Sequence, residues 1–479
     1  MVEIPHPPGS DMPMTAIESA ALDFVLQHSP KGGSDANRRK SGRNGDEGEF
    51  SEYVLARPDL HPVALYGVLK DMVEAACANS EAVPSTVGIH ILARFATTIG
   101  RTAFIQIGDQ QRHLRMNALI VGPTAKGRKG TSADMPRELF KLANGIMLLQ
   151  PAKQLTALAT GEGLIYQLRD PYVYYSSGKP ITDPGVADKR LLCDISEFAG
   201  VLAQARRDGA TISTVLRDAF DGVTLTTPTK TSFTQASDTH IVVVGSVPET
   251  EIVRCLSSTD ITNGMANRFA MFYSVRTKTV AMPEATDPAL MQHFAQHIAS
   301  AIKETVQLGR IRMDSEATAY WPLVYDHIEN QILPPAVASL LARQSTYTLI
   351  FSALLALINR EHIVGRCHID AALAWMKYWE KTALFVFSNG EQNEEAMKIR
   401  KLEDDIIATI AELGGEQVSH TAIAVRLTNN YKKREPLAKD IKKAAEQLQR
   451  GSPPRIRTET TITNGRPANL YSLIPISPQ

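Results

Sequence analysis

Residues 117–132 read NALIVGPTAKGRKGTS, and residues 133–143 continue as ADMPRELFKLA. An apolar, strand-like run from Asn117 to Val121 enters a stretch with glycine at 122, 127 and 130. Thr131, Ser132 and a pattern of helical period follow. Each part of this order has a physical use. Glycines let backbone N–H groups turn inward around an anion, and the N-terminus of the next helix adds partial positive charge. Lys129 is placed to reach the outer phosphate oxygens, and a following hydroxyl can hold Mg²⁺. The stretch therefore predicts a nucleotide phosphate-binding loop formed by Gly122, Gly127, Arg128, Lys129, Gly130, Thr131 and Ser132, with ATP and Mg²⁺ as its ligands. Its spacing departs from the usual GxxxxGK[ST] pattern. Arg128 stands where that pattern has lysine, and Gly130 separates Lys129 from Thr131.

Such a loop needs an acidic partner at the tip of a neighbouring strand, to help hold Mg²⁺ through water and to polarise the attacking water. RLLCDISEFAGVL (190–202) supplies Asp194 and Glu197 after an apolar run, and the pattern leaves open which carboxylate does which task. HIVVVGSVPETEI (240–252) is a further apolar strand, ending near Ser246, a polar residue suited to face the outer phosphate. NGMANRFAMFYSVR (263–276) places Asn263, Asn267 and Arg268 before another strand. An arginine there can neutralise transition-state charge in its own subunit or reach as a finger into the next.

Outward from this centre, strand-like runs alternate with helical stretches at Thr131 to Ala143, Gly161 to Leu168 and Thr211 to Phe220, which predicts an α/β core. Ala103 to Ile107 and His113 to Val121 read as a hairpin whose second strand is buried. Residues 61–101 have helical spacing and predict an N-terminal helical layer; residues 284–392 predict a helical, lid-like region, with Tyr347 to Ile358 as a core helix. Residues 29–52 carry almost no apolar side chains, so residues 1–56 are expected to be largely a disordered tether. Trp375 and Trp379, at helical spacing, are expected in the core.

The last segment, from 398 to 479, reads as three helices and a hairpin, the pattern of a winged helix. Its first helix is KLEDDIIATIAEL (401–413), its third is REPLAKDIKKAAEQLQ (434–449), and Asn464 and Gly465 mark the hairpin turn. From Asn429 to the end, ten basic residues face four acidic ones. Lys432, Lys433, Arg434, Lys439, Lys442, Lys443, Arg455, Arg457 and Arg466 are therefore the expected DNA phosphate contacts.

Whole-chain properties bound the rest. The 479 residues predict two or three domains, and 51 basic against 51 acidic residues leave any nucleic-acid surface to local charge. Cys77, Cys193, Cys255 and Cys367 form no CxxC pair, which favours buried apolar roles in a reducing compartment over zinc or disulfides. Neither a signal peptide nor a membrane span is visible, and a cytoplasmic protein is expected.

Taken as an ordered set, GPTAKGRKGTS, GEGLIYQLRD (161–170), SEFAGVL, TISTVLRDAFDG (211–222), VVVGSVPETEI and NGMANRF resemble a P-loop family of unknown function. That family is found on plasmids, phages and other mobile elements, and its members look like the helicase half of primase-helicase replication proteins. The resemblance covers roughly residues 60 to 390, including the tail with Arg343 and HIDAALAWMKYWEKTA (368–383), and the shifted RKGTS loop recurs in the family. It implies a RecA-like or AAA-type core, ATP with Mg²⁺, a ring or filament of identical subunits, and a role in replicating a mobile element. Matched residue by residue, it puts nucleotide contacts on Gly122, Thr124, Lys129, Thr131 and Ser132, the acidic catalytic position on Glu197 and the arginine on Arg268. Thr131 and Glu197 would hold Mg²⁺, partly through water. The chain lacks the primase-polymerase domain often fused to this core, so priming would fall to a separate primase. Two other readings stand beside a helicase-like motor or initiator: an ATP-switched DNA-binding regulator or partitioning protein, and a non-hydrolysing scaffold.

Overall fold

The computed structural model describes residues 57–387, apart from 125–126, 177–178, 208, 229–232 and 257–263, and residues 402–474, apart from 431–437, 451–454 and 464–465. The tether expected at the N-terminus lies outside these residues, as do Asn263, Lys432, Lys433, Arg434 and the 464–465 turn.

Two helices, α1 (Val68–Cys77) and α2 (Pro84–Ile99), precede the antiparallel strands β1 (Ala103–Ile107) and β2 (Gln110–His113). β3 (Asn117–Val121) then runs through the glycine-rich loop into α3 (Thr131–Met147). Next come β4 (Lys153–Leu155), α4 (Gly161–Tyr166), the ribbon β5 (Tyr172–Ser176) and β6 (Lys179–Asp183), and β7 (Arg190–Ile195). After α5 (Phe198–Ala205) and α6 (Ile212–Asp221), a second ribbon of β8 (Leu225–Pro228) and β9 (Phe233–Ala236) leads to β10 (His240–Val247), α7 (Glu249–Cys255) and β11 (Ala270–Tyr273). The core closes with α8 (Pro288–Thr305), β12 (Gly309–Met313), α9 (Ser315–Glu329), α10 (Pro335–Leu341), α11 (Gln344–Ile358), β13 (Ile363–Val364) and α12 (Arg366–Phe387).

The chain is a mixed α/β protein built on a parallel sheet of five strands in the order β11-β3-β10-β7-β4. All five residues of β3 are buried, and seven of the eight in β10. A parallel sheet is covered on both faces, so its central strands read as continuous apolar runs rather than alternating ones. On one face lies α2, buried from Ser85 to Ile99, with polar residues such as His90 and Arg94 among its buried side chains. On the other lies α5, whose Phe198 sits so close to β10 that a Cβ on Gly245 would meet its ring at 2.5 Å. Trp375 and Trp379 of α12 are fully buried, as expected, and α8 to α12 share one continuous hydrophobic core with the sheet.

Two expectations need correction. The run from Ala103 to Val121 is not one hairpin: β1 pairs with β2, while β3 enters the five-stranded sheet. The break falls at Leu114 to Met116, where Arg115 N–H bonds the His113 carbonyl and turns the chain. The region after Pro288 is not wholly helical either, because β12 and β13 extend β1 and β2 into a second sheet, β13-β12-β1-β2. β13 has only two residues, too few for a period of two to show, and β12 is a single five-residue run between long helices.

Of the cysteines, Cys193 and Cys255 are buried and Cys77 half-buried, whereas Cys367 is exposed at the start of α12, against the buried role expected of it. The described stretch apolar enough to cross a membrane, Pro335–Ile358, is mostly buried within the protein.

The C-terminal residues form α13 (402–412), β14 (Val418–Ser419), α14 (His420–Asn430), α15 (Ala438–Arg450), β15 (Ile456–Thr463) and β16 (Arg466–Leu473). β14 and β15 flank β16 in an antiparallel sheet. Leu402, Ile406, Ile410, Ile423, Leu427, Ile441, Leu448 and Tyr471 join in a core of their own.

Candidate nucleotide site

The glycine-rich loop leaves the C-terminal end of β3, at the centre of the parallel sheet. Close approach explains its first two glycines. A Cβ on Gly122 would lie 2.0 Å from the Ser274 carbonyl oxygen, and one on Gly127 would lie 2.9 Å from that of Pro123. The Ser274 hydroxyl donates to the Gly127 carbonyl at 2.8 Å, so the chain leaving β11 forms one wall of the loop. Gly130 is the N-cap of α3 with Thr131 as its first residue, which puts Thr131 at the loop, while the Ser132 and Ala133 N–H groups donate to the carbonyls of Arg128 and Gly130.

The Lys129 ammonium donates to the carbonyls of Gly122 at 2.9 Å and Val247 at 3.5 Å. Burial pulls its pKa below the usual lysine value, and the nearby Glu249 and Glu251 carboxylates pull the other way. Glu249 in turn accepts from the Tyr273 hydroxyl. Arg128 adopts a left-handed backbone, φ 44°, and its guanidinium pairs with Glu81 of the segment between α1 and α2. Glu81 also pairs with Arg276, beyond β11, at 3.1 Å.

Across the same edge of the sheet, β10 carries Ser246 between the ends of β3 and β7. Ser246 lies opposite Ile120 of β3, and Gly245 opposite Ile195 of β7. Glu197 follows β7 by two residues and is exposed at the start of α5. With neighbouring strands about 4.8 Å apart, the loop, Ser246 and Glu197 lie within roughly 10 Å of one another along this edge. Thr131 and Glu197 fit the sparse protein ligation of Mg²⁺, which takes most of its oxygens from phosphate and water.

Other expected residues sit elsewhere. The Ser132 hydroxyl is buried, accepting from Val83 N–H at 2.9 Å and donating to the Arg128 carbonyl at 3.0 Å, so it ties the loop to the helical layer rather than facing a ligand. Asp194 points to α2 and pairs with Arg94 at 2.8 Å, with both side chains largely buried. A carboxylate so engaged is a structural group, which leaves Glu197 as the acidic residue open to the edge.

Arg268 precedes β11 and so lies at the N-terminal end of the sheet, about 20 Å away from the start of the loop by the rise of six residues. There it donates to Asp221 at 2.6 Å and to the Gly264 carbonyl at 2.6 Å. Arg343 lies in the same neighbourhood: burial first, and then the charges of Arg343 and Arg268, lower the pKa of Arg112. Neither Arg268 nor Arg343 serves the loop of its own chain. The guanidinium that does stand near the loop is Arg276, which sequence reasoning passed over. It is the last residue of NGMANRFAMFYSVR, and its place after the strand rather than before it was the available signal.

In the C-terminal module Lys442 is exposed on α15, while Arg455 and Arg457 are exposed and only loosely paired, with Asp404 at 3.8 Å and Glu459 at 3.9 Å. Lys439 and Lys443 fall on α15, and Arg466 opens β16. These basic residues belong to two consecutive elements of the module, the third helix and the hairpin.

Comparison with protein-family models and with curated proteins gives no match. The class defined by the fold is a mixed α/β protein with a five-stranded parallel sheet, and the functional reading rests on the geometry of that sheet's C-terminal edge.

Proposed function

We propose that this chain is a P-loop ATPase that acts on DNA, a helicase-like motor or initiator in the replication of a plasmid, phage or other mobile element, as its family resemblance implies. The observation that carries the ATPase half is the shared edge. A glycine-rich loop, a lysine, a helix N-terminus, a polar strand end and an exposed carboxylate meet there, with one strand separating the loop strand from the acidic strand. That order is the one expected of a RecA-like or AAA-type core. ATP would lie along the loop, with its outer phosphates near Lys129 and Thr131. Mg²⁺ bound by Thr131, with Glu197 through water, would neutralise phosphate charge. Glu197 is positioned to take a proton from an attacking water, and Ser246 to orient the outer phosphate by a hydrogen bond.

The DNA half rests on the C-terminal module, whose three helices and antiparallel hairpin support a winged helix. Its third helix and wing are basic, the signs and elements suited to phosphate contacts. Arg268 is remote from its own loop and largely buried against Asp221, so to act as a finger in the site of a neighbouring subunit it would have to leave that pair. This reading requires a ring or filament with head-to-tail contacts.

One observation favours a second reading, an ATP-switched DNA-binding regulator. Since Asp194 is held by Arg94, the acidic strand offers only Glu197 for both metal and water. Calorimetric titration with MgATP tests the common core of both readings. The expected result is saturable binding that Lys129→Ala abolishes, and equal binding by wild type and variant would overturn the loop assignment.

A further inference from the structure

Glu81 accepts three partners beside the glycine-rich loop: the Arg128 guanidinium, the Arg276 guanidinium at 3.1 Å and Val280 N–H at 3.1 Å. It is only 7 % exposed. Around it the chain after β11 is knitted to the chain after α1, through Lys278 to the carbonyls of Cys77 and Ala78 and through Glu284 to Asn79. Arg128 and Arg276 together bring two positive charges to the one carboxylate of Glu81, one of them from the residue next in sequence to Lys129, whose own charged neighbours are Glu249 and Glu251. The Val280 N–H bond first, and then the charges of Arg128 and Arg276, lower the pKa of that carboxyl below the usual glutamate value.

Arg128 supplies a second observation. Its φ of 44° is one that glycine adopts freely and a residue with a Cβ adopts at a cost. A side chain kept at such a position has a use that outweighs the cost. Guanidinium can bind phosphate oxygens bidentately, and a triphosphate carries more negative charge than the single carboxylate of Glu81.

We propose that Arg128 and Arg276 are phosphate-binding residues of this loop, specific for a triphosphate chain, and that Glu81 competes with the ligand's phosphates for both. The inference rests on the P-loop reading and deepens it. Glu81 sets the threshold. A diphosphate, with fewer charges to offer, displaces it less completely than a triphosphate does, so the device discriminates ATP from ADP. The shifted spacing of the loop then has a consequence, since Arg128 occupies the place of the usual lysine and adds a second cation.

The test is equilibrium binding of MgATP, MgADP and inorganic tripolyphosphate to the full chain, alongside thermal melting. It uses wild type, Lys129→Ala, Glu81→Gln and Arg128→Gly. Glu81→Gln is expected to tighten MgATP binding by about fivefold, the effect of one partly screened charge, while lowering the melting temperature. Arg128→Gly relieves the backbone but removes one ion pair of Glu81, so it should melt no lower than Glu81→Gln, yet lose affinity for MgATP and tripolyphosphate more than for MgADP. A structural clamp with no ligand role predicts that Glu81→Gln leaves binding unchanged or weaker and that Arg128→Gly binds as wild type; either result overturns the proposal. If Lys129→Ala loses binding while these two variants do not shift it, this inference alone fails. If wild type binds none of the three ligands, the P-loop reading fails and takes the inference with it.

Discussion

Lys129 and Arg268 stand at opposite ends of the same parallel sheet, Lys129 beyond the C-terminal end of β3 and Arg268 before the first residue of its neighbour β11. In one chain they cannot meet at a phosphate. If Arg268 contributes to hydrolysis, it does so in the next subunit, and two different inactive variants should complement each other. Mixing Arg268→Ala with Lys129→Ala is expected to restore part of the turnover that each lacks, because some interfaces then pair an intact loop with an intact arginine. A mixture as inactive as its components, or an Arg268→Ala protein with full turnover, would remove Arg268 from the mechanism.

The two carboxylates of the acidic strand should separate cleanly. Asp194→Asn leaves the largely buried Arg94 without its partner and is expected to cost about 3 kcal/mol of stability, measured by denaturant unfolding. Glu197 is exposed, so Glu197→Gln should unfold like wild type and bind MgATP while losing turnover. Loss of stability in the second variant, or none in the first, would reverse the assignment.

Acid should destabilise the core before the carboxylates protonate. His90 of α2 is buried, and burial lowers its pKa from 6.5 to about 4; His240 is pushed down for the same reason. The unfolded chain takes up protons that these rings refuse when folded, so stability is intact above pH 6.5 and falls as pH drops toward 4. For His90 alone the loss amounts to about 3 kcal/mol across that window. Melting temperature against pH should show this slope in wild type and a shallower one in His90→Leu.

The first glycine of the loop is a packing requirement. Gly122→Ala would drive a methyl to within 2.0 Å of the Ser274 carbonyl oxygen, and neither backbone can yield without moving the loop. A loss of about 2 kcal/mol is expected, together with loss of MgATP binding in the same titration. Gly130, whose added Cβ would meet nothing within 4 Å, is the control, and its alanine variant should be far milder.

The amino-acid sequence carries the α/β pattern well because strands buried on both faces announce themselves. ALIV at 118–121 and IVVV at 241–244 became β3 and β10 at the centre of the sheet. Short or edge elements did not announce themselves. β4 has three residues and β13 two, and the second sheet joins β1 to β12 across some two hundred residues, a pairing no local pattern records. At the site, residues adjacent in sequence to the loop were legible, while direction was not. Whether Asp194 or Glu197 faces the edge depends on the α2 side chain Arg94, and whether an arginine serves the loop depends on which end of β11 it occupies. Glu81 was invisible for the same reason, lying more than forty residues before the loop it touches.

In the C-terminal module, reversing Lys442, Arg455 and Arg457 to glutamate should weaken DNA binding and lower the slope of log affinity against log salt by about three, one for each lost phosphate contact. Unchanged affinity and slope would assign this module to protein contacts instead.

The central claim is that the loop at Gly122 to Ser132 hydrolyses ATP in response to DNA. Phosphate release by the purified chain, with and without single- and double-stranded DNA, tests it most directly beside Lys129→Ala. DNA-stimulated turnover that disappears in the variant is the predicted result; turnover indifferent to DNA, or equal in both proteins, would contradict it.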